Sequence, residues 1–151
     1  MSAHDVRILL VDDHRLVRTA LREILAAEPD LLVIGEAGSA AEALDLLGPT
    51  RPDVVLMDVH LPNVDGIAAT RAVHEQRPQV RVLMLSATCT IHQVRRAVAA
   101  GACGYLVKDM AVDALCDAVR AAVDGTCSLV LAPEAQALVD LGLAQEPTWT
   151  W

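Results

Sequence analysis

Val54-Val55-Leu56-Met57 is an apolar run that stops at Asp58. Leu61-Pro62-Asn63-Val64-Asp65-Gly66 follows with the composition of a turn, and Ile67 to Gln76 then takes helical spacing until Pro78. The run is continuous rather than alternating, so the strand it predicts is buried on both faces, as a parallel strand covered by helices must be.

The same unit recurs on either side. Val6 to Val11 ends at Asp12-Asp13 and leads into Leu16, Val17, Ala20, Leu21, Ile24 and Leu25 at the spacing of one helix face, closed by Pro29. Leu31 to Ile34 leads into a helix opened by Ser39, with Glu42 completing a capping box, and ended at Gly48-Pro49. Val82 to Leu85 ends at Ser86 and precedes a helix carrying Ile91, Val94 and Val98 that stops at Gly101. Tyr105-Leu106-Val107 ends at Lys108, and Val112, Leu115, Val119 and Val123 make the fifth helix. Five strand-then-helix cycles predict a doubly wound α/β domain over residues 5–124, with five parallel strands and five helices in three layers.

Composition agrees with one such domain. The chain has 151 residues, a formal charge of −8 and 54% hydrophobic residues. A domain of this length buries roughly 68–70% of its unfolded surface, so it needs no staples. No apolar run reaches the roughly 18 residues of a membrane span, and the N-terminus has no basic-then-apolar leader, so cytoplasmic residence is expected. Cys89, Cys103, Cys116 and Cys127 lie 14, 13 and 11 residues apart without a metal-ligand pattern and read as small hydrophobes. Of the 12 basic residues all but Lys108 are arginine.

The strand ends carry the chemistry. Asp12, Asp13, Asp58, Ser86 and Lys108 each stand at the carboxyl end of an apolar run, the edge where open α/β sheets bind ligands. Three clustered carboxylates need a counter-cation, and hard oxygen donors favour Mg²⁺. Lys108 has donors and no acceptor, so its partner is a carboxylate or an incoming oxyanion. Carboxylate, metal, ammonium and hydroxyl together suit phosphoryl transfer, with Lys108 and Ser86 on the phosphoryl oxygens and Asp58 the best candidate for a carboxylate nucleophile.

Leu10-Val11-Asp12-Asp13-His14, Leu56-Met57-Asp58-Val59-His60-Leu61-Pro62 with Asp65-Gly66, Leu85-Ser86-Ala87 and Gly104-Tyr105-Leu106-Val107-Lys108-Asp109 resemble the CheY-like receiver domain of bacterial two-component response regulators. Val33-Ile34-Gly35-Glu36-Ala37 and Ala99-Ala100-Gly101-Ala102-Cys103-Gly104-Tyr105 look most like its NarL/FixJ subfamily, whose members usually carry a C-terminal LuxR-type helix-turn-helix. The resemblance implies a flavodoxin-like strand order 2-1-3-4-5. It implies that Asp58 accepts phosphate from a sensor histidine kinase, with Mg²⁺ on Asp12, Asp13, Asp58 and the backbone carbonyl of His60. It implies that Lys108 and Ser86 contact the phosphoryl group and that Ser86 and Tyr105 are a switch pair. The loop after the fourth strand moves with Ser86, Tyr105 turns into the space vacated, and the face of the fourth helix, fifth strand and fifth helix changes. A homodimer on phosphorylation and control of transcription are the implied output, with the first and fifth helices as a rival dimer surface.

Several features depart from that pattern or stand outside it. His60 reads either as a pocket modulator or as a solvated loop histidine, His14 as a first-turn surface residue, and Arg95-Arg96 as a solvated face or part of a partner surface. Residues 125–151 read as a linker and tail with a short extended piece at 126–131 and a possible helix from Pro133 to Leu143, too short for a helix-turn-helix. No Lys or Arg lies beyond Arg120, so direct DNA contact by this chain is not expected. The chain is then a receiver fragment of a longer transcription factor or a stand-alone receiver acting through protein contacts. A small Mg²⁺-dependent aspartyl phosphatase is the enzymatic alternative, but that class sets two Asp two apart after the first strand, whereas Asp12 and Asp13 are adjacent. Trp149 and Trp151 in the tail have no assigned role.

Overall fold

The computed structural model describes residues 5–124, 130–131, 133, 136–137 and 140. The strands are β1 (Val6–Val11), β2 (Leu31–Ala37), β3 (Val54–Asp58), β4 (Arg81–Ser86), β5 (Gly104–Val107) and β6 (Val130–Leu131). Between them run α1 (Arg15–Ala26), α2 (Ala40–Thr50), α3 (Gly66–Gln76), α4 (Ile91–Ala99) and α5 (Val112–Asp124). The sheet order is β2-β1-β3-β4-β5-β6 and every pairing is parallel. The five-stranded order expected from the resemblance is present, and of the extended piece expected at 126–131, Val130 and Leu131 form a two-residue sixth strand beside Gly104 and Tyr105 while 126–129 lie outside the described residues.

Alternation along each strand sorts the core into two layers. Leu9, Val11, Val55, Met57, Val82, Met84 and Tyr105 point to one face, where α2, α3 and α4 bring Ala43, Leu47, Ile67, Val73, Val94 and Ala97. Their neighbours Ile8, Leu10, Val54, Leu56, Leu83, Leu85 and Leu106 point to the other, against Leu25 of α1 and Leu115, Cys116 and Val119 of α5. Ion pairs then tie the outer helices to the sheet's rim. Glu36 on β2 accepts from Arg18 at 3.1 Å and Arg22 at 2.7 Å. Arg120 on α5 reaches Asp30 at 2.8 Å and Glu28 at 2.6 Å.

Three local expectations change. α2 does not stop at Gly48-Pro49 but runs through both to Thr50. A proline so near the C-terminus forfeits one ladder bond, and the last turn is held instead by the Thr50 hydroxyl on the Leu46 carbonyl and by Arg51 N–H on Leu47. β2 extends past Ile34 to Ala37, with a register shift opposite Ile8 and Leu9. Leu16, assigned by spacing to the buried face of the first helix, is 84% exposed.

Residues 133, 136, 137 and 140 are helical and exposed, and Trp149 and Trp151 lie outside the described residues.

Gly101, which ends α4, has φ +104°, and a Cβ there would lie 2.7 Å from the His74 ring. Gly101→Ala therefore combines left-handed strain with a contact that α3 must yield to, and a loss of about 1–3 kcal/mol in denaturant unfolding is expected. Gly38, whose added Cβ meets only ordinary contacts at 3.5 Å and beyond, is the control: Gly38→Ala should move the midpoint by less than about 0.5 kcal/mol.

Candidate functional site

Register brings the polar residues together. Val11 pairs with Met57, so Asp12 and Asp58 leave their strands side by side. Asp58 pairs with Leu85 and Ser86 pairs with Val107, which sets Ser86 and Lys108 one step further along the same edge. Hydrogen bonds from Asp12 N–H to Ala37 O and from Lys108 N–H to Ser86 O continue the ladder just past the strands.

Asp12 and Asp58 are 3% exposed, yet both are carboxylates. Lys108 offsets them: its Nζ lies 2.7 Å from Asp12 Oδ2 and 3.5 Å from Asp58 Oδ1. Asp12 Oδ1 accepts from His14 N–H at 2.8 Å, and the His14 ring stands 3.1 Å from both Asp12 and Asp13. The backbone carbonyl of Asp12 accepts from the Arg18 guanidinium. Asp58 Oδ1 accepts from His60 N–H at 3.3 Å, while the rest of His60 and Asp13 are exposed. Ligand atoms of Asp12, Asp13, His14 and Asp58 all fall within 4.8 Å of one another. The carboxylates suit a hard divalent cation, and His14, read from sequence as a surface residue, belongs to the cluster.

Asp58 and Lys108 are both shifted from their ordinary values, for different reasons. Burial, then the neighbouring Asp12 charge, pushes Asp58 above the usual carboxylate range against the pull of Lys108 and His60. Burial also opposes the charge on Lys108, but Asp12 and Asp58 outweigh it and hold the ammonium above its ordinary value.

Gly66 fixes the floor of the site. A Cβ at this position would lie 1.8 Å from the Asp58 carbonyl oxygen, and Gly66 N–H donates to Val59 O at 2.8 Å. The chain thus folds back onto β3 directly behind Asp58, and Asp65 caps α3 through Ala68 N–H. The sequence shows Asp65-Gly66 as a turn but not this approach, which depends on where β3 lies.

Ser86 is fully buried and its Oγ accepts from Thr88 N–H at 3.1 Å. Tyr105 is also fully buried, and its hydroxyl donates to Thr88 O at 2.7 Å. Burial raises the phenol's pKa. The ring already occupies the interior while Ser86 is held by Thr88, whereas the expected order has the ring turn in after Ser86 moves. Thr88 and Gln93, which the sequence reading passed over, both contact this pair's hydroxyls.

A parallel sheet with buried carboxylates, a bridging lysine and a buried hydroxyl at its carboxyl edge defines a receiver. The sequence model described as the response regulator receiver domain matches residues 8–120, and the chain belongs to that family. It is 37% identical over 125 residues to the transcriptional regulatory protein DegU of Brevibacillus brevis, covering 83% of this chain and 53% of that protein. It is 43% identical over 115 residues to the DNA-binding transcriptional activator DevR/DosR of Mycobacterium tuberculosis, covering 76% and 53%. The chain thus spans about half the length of these curated relatives. Among solved structures it is similar to a LuxR-family two-component response regulator from Aurantimonas sp. SI85-9A1, with TM-score 0.83 and 33% identity over 91% of this chain and 97% of that one. It is also similar to the signal receiver domain of the putative response regulator NarL from Mycobacterium tuberculosis, with TM-score 0.77 and 34% identity over 82% and 99%. The chain carries the receiver domain of a two-component response regulator, and the relatives named here are transcriptional regulators. Among the described residues no helix is long and apolar enough to cross a membrane.

Because the folded-state pKa of Asp58 lies above its unfolded value, the native state binds that proton more tightly, and stability falls as pH rises through the window just above the ordinary carboxylate value of 3.8. Asp58→Asn removes the charge at every pH. Its unfolding midpoint should exceed that of the wild type at pH 7, with the gap closing as pH drops toward 4. A gap that widens on acidification would contradict this electrostatic picture. Lys108→Ala has the opposite sign: leaving Asp12 and Asp58 without their cation should cost about 3 kcal/mol in urea unfolding at pH 7 without added divalent metal.

Proposed function

We propose that Asp58 is the phosphoacceptor of this receiver and takes its phosphoryl group from the phosphohistidine of a sensor histidine kinase. A carboxylate oxygen of Asp58 attacks phosphorus, the P–N bond breaks, and the imidazole leaves as an acyl phosphate forms. The supporting observation is the placement of Lys108, an ammonium in contact distance of both buried carboxylates at the sheet edge. It is positioned to follow the charge from carboxylate to phosphoryl oxygen.

Asp12, Asp13 and Asp58 with the His60 carbonyl would hold Mg²⁺, whose contribution when bound is neutralisation of phosphoryl charge. Lys108 shares that work and Ser86 donates to a phosphoryl oxygen. To do so, Ser86 must turn its hydroxyl away from Thr88. His60 stands exposed at the pocket mouth, two residues from Asp58, and modulates access of water to the acyl phosphate. Ser86 and Tyr105 form the switch, read out on the face of α4, β5 and α5, with homodimerisation on phosphorylation.

Residues 5–124 are the receiver and residues 125–151 a linker toward an output region. Given the relatives named above, that output is transcription through a LuxR-type helix-turn-helix in a cytoplasmic regulator. The switch itself is a phosphoacceptor, and turnover is limited to gain and loss of its own phosphoryl group.

Incubation with Mg²⁺ and a small acyl phosphate should add a single phosphate by intact mass to the wild type and none to Asp58→Asn. Lys108→Ala should be modified at least about 10-fold more slowly, from loss of a charge partner worth more than about 1.4 kcal/mol in the transition state. An adduct that persists in Asp58→Asn would overturn the assignment. Catalytic turnover of unrelated phosphomonoesters would point to a phosphatase.

A further inference from the structure

Thr90-Ile91-His92-Gln93 carries the sequence signature of a capping box, in which a Thr N-cap bonds the N3 backbone and the N3 Gln reaches back to the N-cap. Half of it forms: Gln93 N–H donates to Thr90 Oγ1 at 3.1 Å. The Gln93 side chain does something else. Its carboxamide oxygen lies 3.2 Å from the Tyr105 hydroxyl and accepts from the Thr88 hydroxyl at 3.2 Å.

The protons of this cluster can be followed. Thr88 has one hydroxyl proton and gives it to Gln93, so across the 3.3 Å contact between Ser86 Oγ and Thr88 Oγ1 the donor is Ser86. Tyr105 has one proton, shared between Thr88 O at 2.7 Å and Gln93 Oε1 at 3.2 Å. A continuous set of hydrogen bonds therefore joins the buried serine of β4 to the first turn of α4 and the tyrosine of β5. Thr88, in the loop, holds both Ser86 and Tyr105, and Gln93 is where the cluster touches a helix. Such a network polarises along its length, and its members respond together.

We propose that Gln93 is a positioning residue of the switch: its carboxamide oxygen fastens the first turn of α4 to the Tyr105 phenol and the Thr88 hydroxyl, so that α4 moves with the Ser86–Tyr105 pair. The proposal rests on the phosphoacceptor reading above. When Ser86 gives its proton to a phosphoryl oxygen, it releases Thr88 Oγ1. Thr88 then rearranges, and Gln93 carries that rearrangement into α4. Without the carboxamide, Asp58 still reacts, but the helix is no longer tied to the event.

Tyr105 is the single tyrosine of the chain, so one ring-carbon NMR signal reports its environment. Gln93→Leu removes the acceptor at similar size, and Gln93→Glu restores an acceptor oxygen. In unmodified protein the Tyr105 signal should move toward that of a solvent-exposed ring in Gln93→Leu, an inward-population change of about fivefold for one lost hydrogen bond, and should stay in place in Gln93→Glu. After Mg²⁺ and a small acyl phosphate are added, Gln93→Leu should gain phosphate by intact mass within about twofold of the wild-type rate, while its amide shifts over residues 91–99 fall below about half of those in wild type and Gln93→Glu. In a Tyr105→Phe background, Gln93→Leu should have a smaller effect on the α4 shifts than in the wild type. An unchanged Tyr105 signal in Gln93→Leu, full-sized α4 shifts in that variant, or additive effects in the double variant would overturn the proposal. A wild type that takes up no phosphate overturns the phosphoacceptor reading and the coupling built on it. That failure is distinct from a failed Gln93 contact, because the tyrosine signal is read before any donor is added.

Discussion

Parallel pairing of Val11 with Met57, Asp58 with Leu85 and Ser86 with Val107 is the constraint from which the rest of the molecule follows. Both faces of these strands are buried, so a slip of one residue would exchange the two core layers and turn every apolar side chain toward the wrong helices. The apolar residues thereby lock the register, and the register in turn places Asp12, Asp58, Ser86 and Lys108 along one edge. None of the polar residues has to find its neighbours by itself. The site inherits its geometry from the packing of the apolar residues that flank it.

That arrangement has an electrostatic cost, and the cost is useful. Two nearly buried carboxylates repel and are poorly solvated, which raises Asp58 and makes the ammonium of Lys108 strongly stabilising to the resting fold. A pocket that is strained by its own negative charge and partly relieved by one cation is already arranged for a group that brings oxyanions toward the lysine, with hard oxygen ligands beside it. Gly66 adds the steric half of the device by letting backbone pack directly on the carbonyl of Asp58.

The proposed coupling of the site to the surface would depend on weaker bonds. Ser86, Thr88, Gln93 and Tyr105 are joined by contacts of 2.7 to 3.3 Å between neutral groups, each worth about 1 kcal/mol net. Bonds of that size hold a preferred arrangement without fixing it. A few of them acting together can be reversed by one charge-assisted contact to a phosphoryl oxygen, which suits an element that must have two states.

The sequence by itself determined the five strand-then-helix cycles, the two-sided burial of the strands and the identity of Asp12, Asp13, Asp58, Ser86 and Lys108 as the strand-end set, because period and run length are local properties of the chain. Local rules also failed in identifiable places. Gly48-Pro49 reads as a stop but lies within the last turn of α2, where neighbouring hydroxyl and amide bonds compensate, and Leu16 follows the apolar spacing of α1 yet faces solvent. The Gln93 capping pattern is similarly diverted to partners that are distant in sequence. Only the tertiary structure decided that His14 stands against both aspartates, that Gly66 closes on Asp58, that β6 joins the sheet and that Tyr105 is inside. Each of these depends on distances between segments whose separation in space is set by the register of the whole sheet, and no window of sequence contains that distance.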